Sequence, residues 1–389
     1  MMKLLLTVFL VLLCSASFSQ GYQVNFQGQK QQGMASAGSA LPQDASSVFF
    51  NPGAIGFLEK SSLNIGVTPT FANTVFEESG TNATARTESP VGTPFSVYGN
   101  FKRSEKSKFA YGIGIYTPFG STIQWEAGWE GRYAMKRLEL SAIFFQPTIS
   151  CKISKKIGLG AGFVYSSGKV NLQKNIPIQD ASGQDALAEL NGSARGFGFN
   201  SGMYFSASSK LSFALTYRSR VNMFPSGKFS SSLPLPQVLT VASAFKLSEK
   251  WNFALDINAI GWKAYDTLGF DYAQNTASLV DTRSARRYKN TLAFRTGAQF
   301  QLNKIIALRA GIAFGMSPVQ SGYVTPETPD ANRLNYTAGF SAKIGSHFAL
   351  DASVLFTHIE RTDTNLETYL SGKFTTNVLA PGLAIIYQF

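Results

Sequence analysis

The chain has 389 residues, 15% of them charged and 13% aromatic, with Phe occurring 32 times, Gly 35 times, Cys twice and His twice. About a quarter of a soluble globular protein is charged; this deficit, beside so many aromatics, excludes a disordered chain, and the Cys and His counts exclude a disulfide scaffold or a Cys/His metal domain. Past the first twenty residues no apolar run reaches the roughly 18–20 residues of a spanning helix, which leaves a large β protein, soluble or a membrane barrel.

Lys3, the apolar run Leu4 to Leu13 and the small residues of Ser17-Phe18-Ser19 read as a secretory signal peptide, residues 1–19, cleaved before Gln20. A lipoprotein would use Cys14, but Leu13 is too bulky for that cleavage. Without residues 1–19 the chain keeps 34 Lys+Arg against 23 Asp+Glu, a net +11, and only Cys151, so no internal disulfide can form. No stripe dense in Lys and Arg occurs, so nucleic acid is not the expected partner. Acidic outer-membrane lipid or lipopolysaccharide head groups are.

Residues 20–61 show little alternation and are rich in Gly, Ala, Ser and Gln. Beyond them, runs of about ten residues alternate strictly, the signature of strands with one apolar face. Leu63, Ile65 and Val67 open the series, and Ile157, Leu159, Ala161, Phe163 and Tyr165 are typical of it. Fourteen strands are expected, beginning near residues 62, 94, 108, 137, 157, 196, 211, 237, 251, 290, 305, 333, 348 and 375. Every second link is short and polar, such as Ser154-Lys155-Lys156 or Asn303-Lys304, and the intervening links are long. That regular alternation is expected of an outer-membrane barrel with short periplasmic turns and long outer loops.

The last strand alternates Leu383, Ile385, Tyr387 and Phe389 to the end of the sequence, a pattern similar to the signal read by the barrel assembly machinery. The fold class is therefore all-β, a 14-stranded antiparallel transmembrane β-barrel over 62–389 in the bacterial outer membrane. Residues 20–61 suit a plug inside the lumen, where irregular backbone is tolerated at membrane depth. Asp44-Ala45-Ser46-Ser47 reads as a helix cap. A loose periplasmic tail is the other reading.

Gly33 to Leu58, with Ala37-Gly38-Ser39-Ala40, Asp44-Ala45-Ser46-Ser47 and Asn51-Pro52-Gly53-Ala54, resembles the N-terminal hatch of FadL-type outer-membrane transporters. That family usually has Asn-Pro-Ala where this chain has Asn-Pro-Gly. Trp129-Glu130-Gly131-Arg132-Tyr133, Gln146-Pro147-Thr148, Leu215-Thr216-Tyr217-Arg218-Ser219, Trp262, and Leu308-Arg309-Ala310-Gly311 followed by Ser317-Pro318 continue the likeness across the chain. The resemblance implies uptake of hydrophobic molecules, long-chain fatty acids first, by a plugged barrel with lateral release. Aromatic or other hydrocarbons, and a non-transporting adhesin barrel, are the alternatives. Asp44, Asn51 and Pro52 become hatch residues, no cofactor is implied, and a monomer is expected.

An enzyme is not expected: His347 and His358 are the only histidines, and no Gly-x-Ser-x-Gly elbow occurs. Two isolated histidines make no metal site. With apolar residues facing lipid, Arg218, Asp256, Arg295, Arg309 and Asp351 must point inward. Arg218, Arg295 and Arg309 are candidates to hold a carboxylate, with ion-pairing to one another or to the plug as the alternative. A capture surface is expected in the outer loops, from Ile176, Ile178, Leu187 and Leu190, the last two in a stretch with helical spacing, and from Met223, Phe224, Leu233 and Leu235. Gly112, Gly114 and Pro118 in the third strand are candidates for the lateral gap, since Gly and Pro interrupt ladders; glycines facing a crowded plug are the alternative.

Overall fold

Strict alternation folds here as a closed ring. The computed structural model describes residues 21–104, 106–179, 183–226, 229–230, 233–272 and 281–389; the expected signal peptide lies outside the described residues. Strand β1 comes in two segments, Ser62–Val67 and Phe71–Glu78, followed by β2 (Phe95–Phe101), β3 (Phe109–Gln124), β4 (Arg137–Lys152) and β5 (Ile157–Gln179). Then come β6 (Asp185–Ser206), β7 (Leu211–Arg218), β8 (Val238–Lys246), β9 (Trp251–Ile260) and β10 (Thr291–Gln301). The ring ends with β11 (Ile306–Gly315), β12 (Arg333–Ile344), β13 (Phe348–Thr364) and β14 (Ser371–Gln388). Sequential strands pair antiparallel, and Ile65 of β1 lies opposite both Val97 of β2 and Ile385 of β14. Closure removes the open edge that a hydrocarbon solvent forbids.

Two starts differ from expectation: β6 begins at Asp185 and β14 at Ser371. The segment Ala186 to Leu190, expected at helical spacing, is strand, with Leu187 opposite Asn175 and Leu190 opposite Leu172. The β5–β6 ladder is already nucleated in the barrel, so extending it satisfies each new residue's backbone, whereas a five-residue helix would have to nucleate alone.

The pleat divides the wall. On β4, Ile143, Phe145 and Ile149 are exposed outward, while Gln146, Thr148 and Ser150 are buried inward. Against such inward faces pack residues 21–58, with helices α1 (Gln29–Gln32) and α2 (Ser47–Phe50) and a 3-10 turn (Pro52–Phe57). Buried residues dominate this segment, and its contacts reach opposite sides of the ring. Gln32 donates to the Ala380 carbonyl of β14 at 3.0 Å, and Asn51 donates to the Met203 carbonyl of β6 at 3.2 Å. Asn51 also accepts from Gly53 N–H at 3.0 Å, while Pro52 supplies the fixed φ that starts the 3-10 turn.

Glycine sets how close this segment lies to the wall. A Cβ on Gly53 would fall 2.5 Å from the Gly202 carbonyl oxygen, and one on Gly160 would fall 2.3 Å from the Pro52 carbonyl carbon. The departure from Asn-Pro-Ala thus has a steric cause, backbone against backbone at Gly158, Gly160 and Gly202. Gly160→Val is expected to dislodge the Asn51-Pro52-Gly53 turn yet leave the ring assembled. Heat-modifiable gel migration should persist while single-channel conductance rises; unchanged conductance would mean the turn tolerates displacement.

Candidate functional site

Inward faces change character along the strands. On β4, polar Gln146, Thr148 and Ser150 give way farther out to Leu138, Leu140 and Ala142. On β5, Gly158, Gly160 and Gly162 give way to Gly168, Val170 and Leu172. The polar stretches meet the N-terminal segment; Gln146, for example, donates to the Val48 carbonyl at 2.7 Å. The apolar stretches instead border an open slot, joined by Met223, Leu233, Leu235 and Leu268 from outer loops and by the rings of Tyr22, Phe119 and Tyr265. About 830 Å³ lies between the lining atoms when the open mouth is counted, but the centre of a water-sized sphere can move through only about 80 Å³. It is a narrow apolar slot.

Two charged residues border it. Lys169 lies between Gly168 and Val170 on the exposed pleat of β5. Glu327 is buried and paired with buried Arg286 at 2.6 Å, and this pair ties the loop after β9 to the loop after β11. Breaking such a pair would leave an uncompensated buried charge, so it holds those loops over the slot. Tyr22 and Tyr288 both hydrogen-bond the Thr328 hydroxyl, at 3.0 and 3.2 Å.

Tyr22 and Phe119 also lie where the wall is interrupted. Pairing of β2 with β3 stops at Ser96 opposite Tyr116, and the β3–β4 register shifts between Tyr116 and Phe119. The β3 edge above is taken by the N-terminal segment: Val24 N–H donates to the Pro118 carbonyl at 2.8 Å and Gly120 N–H to the Tyr22 carbonyl at 3.3 Å. Wall pairing resumes where Glu88 N–H meets the Gln124 carbonyl at 2.7 Å. Pro118 therefore sits at the interruption. Gly112 and Gly114 do not, because their ladders to β2 and β4 are intact. A Cβ on Gly112 would meet Val48 at 2.5 Å, so its small size serves the packed N-terminal segment.

The three candidate arginines point inward, as the alternation requires, but none lines the slot. Arg218 donates to the Phe49 carbonyl at 2.8 Å and stacks 3.7 Å over the Phe49 ring. Arg295 donates to Asn25 at 2.8 Å. Arg309 donates to Gln299 at 2.8 Å and to Ser341 at 2.6 Å, and Ser341 bonds Asp351. Lys30 lies 3.4 Å from Asp44 and 3.9 Å from Asp351, while Asp256 accepts from Gly38 and Ser39 N–H at 3.0 and 3.1 Å. Asp44 also accepts from Ser46 N–H at 2.9 Å, but it does not cap α2, whose N-cap is Ser46 and carries no side-chain cap bond.

Of the expected loop residues the slot gathers Met223, Leu233 and Leu235. Phe224 is on the opposite pleat and 65% exposed; Ile178 and Leu187 are exposed on the β5–β6 hairpin, and Ile176 and Leu190 are half-buried there. The residues missed were Leu138, Leu140, Val170 and Leu172. Their signal was legible: an inward face that turns from polar or glycine to apolar partway along one strand.

These features define an outer-membrane barrel whose N-terminal segment packs against the inward wall, with an apolar slot beside an interrupted wall. The chain belongs to the outer membrane protein transport protein family (OMPP1/FadL/TodX), whose model matches residues 10–389. It is 22% identical to a long-chain fatty acid transport protein of Salmonella typhi, over 94% of each chain. Among solved structures it resembles a Pseudomonas aeruginosa FadL homologue, with a TM-score of 0.82 and 17% identity over 95% of this chain and 100% of that one. It also resembles the P. putida toluene transporter TodX, with a TM-score of 0.74 and 13% identity over 93% and 98%. The protein is an outer-membrane transporter of hydrophobic compounds.

Asp330, in the loop after β11, accepts from Gly21 N–H at 3.0 Å and from the Ser317 hydroxyl at 3.3 Å. Burial outweighs the nearby Arg333 and pushes its carboxyl up to about 6. A raised carboxyl contributes stability that is full below its unfolded value, near 4, and lost as pH rises through 6. Asp330→Asn should therefore unfold at a higher temperature than the parent at pH 8 and at the same temperature near pH 4. A pH-independent difference would show that shape, not charge, is at issue.

Proposed function

We propose that the protein takes up long-chain fatty acids, bound tail-first in the slot with the carboxylate left at the mouth. The observation that carries this reading is the lining, mainly apolar, whose two charges are Lys169 on the outward pleat and a Glu327 already paired with Arg286. Each methylene buried there contributes about 0.8 kcal/mol, so a long chain is held without a cation. A carboxylate turned inward would meet Glu327 and lose its hydration. Arg218 and Arg295 act on this route indirectly, by bonding residues 21–58 as the hatch, and Arg309 does so at one remove, through Gln299, which accepts from Gln43 at 3.1 Å.

Release follows from the same residues. Tyr22 and Phe119 touch both the slot and the interruption beside Pro118, so withdrawing the Tyr22–Val24 backbone from β3 would join slot to wall opening. The chain is not an enzyme in this reading. It works as a monomer, with β14 and Phe389 presented to the assembly machinery. Among the described residues that line the slot none is an inward cation, which also favours a second reading, a neutral aromatic hydrocarbon.

Leu140→Glu is expected to weaken oleate binding more than tenfold, by displacement of a fluorescent fatty acid from the detergent-solubilised protein, while heat-modifiability is kept. Toluene displacing the probe where oleate does not would establish the hydrocarbon reading instead. Arg309→Met is expected to weaken oleate and a neutral long-chain alcohol equally, as hatch loosening requires. Selective loss of oleate would assign the carboxylate to Arg309.

A further inference from the structure

Nearly all of the protein's excess positive charge lies at one end. Residues 21–389 carry 34 Lys and Arg against 23 Asp and Glu. At the end with the short turns, residues 59–61, 102–108, 152–156, 207–210, 246–250, 302–305 and 343–347 hold 13 Lys and Arg against 3 Glu, leaving 21 against 20 for everything else. Lys155, Lys156, Lys210, Lys250, Lys304 and Lys343 are exposed, and Lys246 pairs with Glu249 at 3.0 Å.

Four of these six cations, Lys155, Lys250, Lys304 and Lys343, have apolar neighbours that are also exposed. Ile153 precedes Lys155, Leu247 precedes Lys250, Leu302 and Ile305 flank Lys304, and Ile344 follows Lys343, all between 46% and 58% exposed. Apolar groups paired with long basic side chains suit a membrane interface, where the stem lies along the acyl region and the ammonium reaches the head groups. The pattern recurs at the β4–β5, β8–β9, β10–β11 and β12–β13 turns, which are spread along the ring. A globular partner would meet one arc of that ring, whereas a lipid annulus meets all of it.

We propose that this rim is a cationic collar that selects anionic phospholipids from the inner leaflet of the outer membrane. Short turns face the periplasm, so lipopolysaccharide, in the outer leaflet, does not reach the collar. The counter-charge to the protein's basic balance is the phosphate of inner-leaflet phospholipid. The attraction is screened by salt, and a lipid beside one lysine is enriched about fivefold over a zwitterionic one, the equivalent of about 1 kcal/mol.

Trp251 reports on the site without labelling. It follows Lys250, faces outward at 39% exposure, and the other tryptophans, Trp125, Trp129 and Trp262, are at most 3% exposed. The full-length mature protein is reconstituted in phosphatidylcholine vesicles containing brominated phosphatidylglycerol or, separately, brominated phosphatidylcholine, and quenching of Trp251 gives the relative association of the two lipids. The expected preference for phosphatidylglycerol is about fivefold at low salt, falling to near unity in 1 M NaCl. It should be lost when Lys155, Lys156, Lys210, Lys250 and Lys304 are all changed to Gln, and kept when they are changed to Arg, with heat-modifiability confirming that both variants fold. Equal quenching by the two lipids in the parent protein would overturn the proposal. So would a preference that survives in the Gln variant, because the anionic lipid would then be held elsewhere on the wall.

Discussion

Closure of the backbone hydrogen-bond ring is the constraint on which the rest depends. In hydrocarbon an unpaired N–H or C=O costs several kcal/mol, so β1 must pair with β14 as well as with β2, as Ile65 does with Ile385 and Val97. A closed ring has two faces and no choice about them. The outward one is read by lipid and is apolar, and the inward one is free to be polar because it meets protein.

That freedom is spent on holding residues 21–58. Asp256 bonds the Gly38 and Ser39 amides, Arg218 the Phe49 carbonyl, and Gln146 the Val48 carbonyl, so much of the lumenal polar surface is matched to the backbone of an irregular segment. Wall glycines 158, 160 and 202 let the two backbones touch. The same segment completes the wall where the ring lapses. The β3 edge around Pro118 would be an open edge in the sense that closure forbids, and Val24 and Tyr22 supply the missing partners. Residues 21–58 and the wall therefore form one hydrogen-bonded system, which couples the N-terminal segment to the interruption.

Where the inward face has no segment to hold, it turns apolar and the slot appears. Its roof is kept in place by polar contacts: Arg286 with Glu327 at the slot border, and, away from the lining, Asp330 with Gly21 and Trp125 Nε1 with the Pro326 carbonyl at 3.3 Å. The chemistry of transport needs little more than this, because a hydrophobic cargo is recognised by area and not by oriented polar groups. At the opposite end, charge and not area is the organising quantity.

The sequence by itself determined the closed 14-strand barrel and the inward direction of Arg218, Asp256, Arg295, Arg309 and Asp351, because a period of two is a local property and lipid permits one solution to it. Strand starts came within two residues of expectation except at β6 and β14, where hairpins outrun the membrane and the hydrophobic pattern no longer marks their ends. Only the tertiary structure decided what each inward group touches. Alternation places Arg309 inside but cannot say whether Gln299 and Ser341 or a ligand meets it there. It shows Gly112, Gly114 and Pro118 alike as ladder breakers, although the ladder lapses at Pro118 alone. The slot is the clearest case, since β4, β5, the loop after β7 and Tyr22 lie up to two hundred residues apart in the chain and become neighbours only when the ring closes and the hatch is seated.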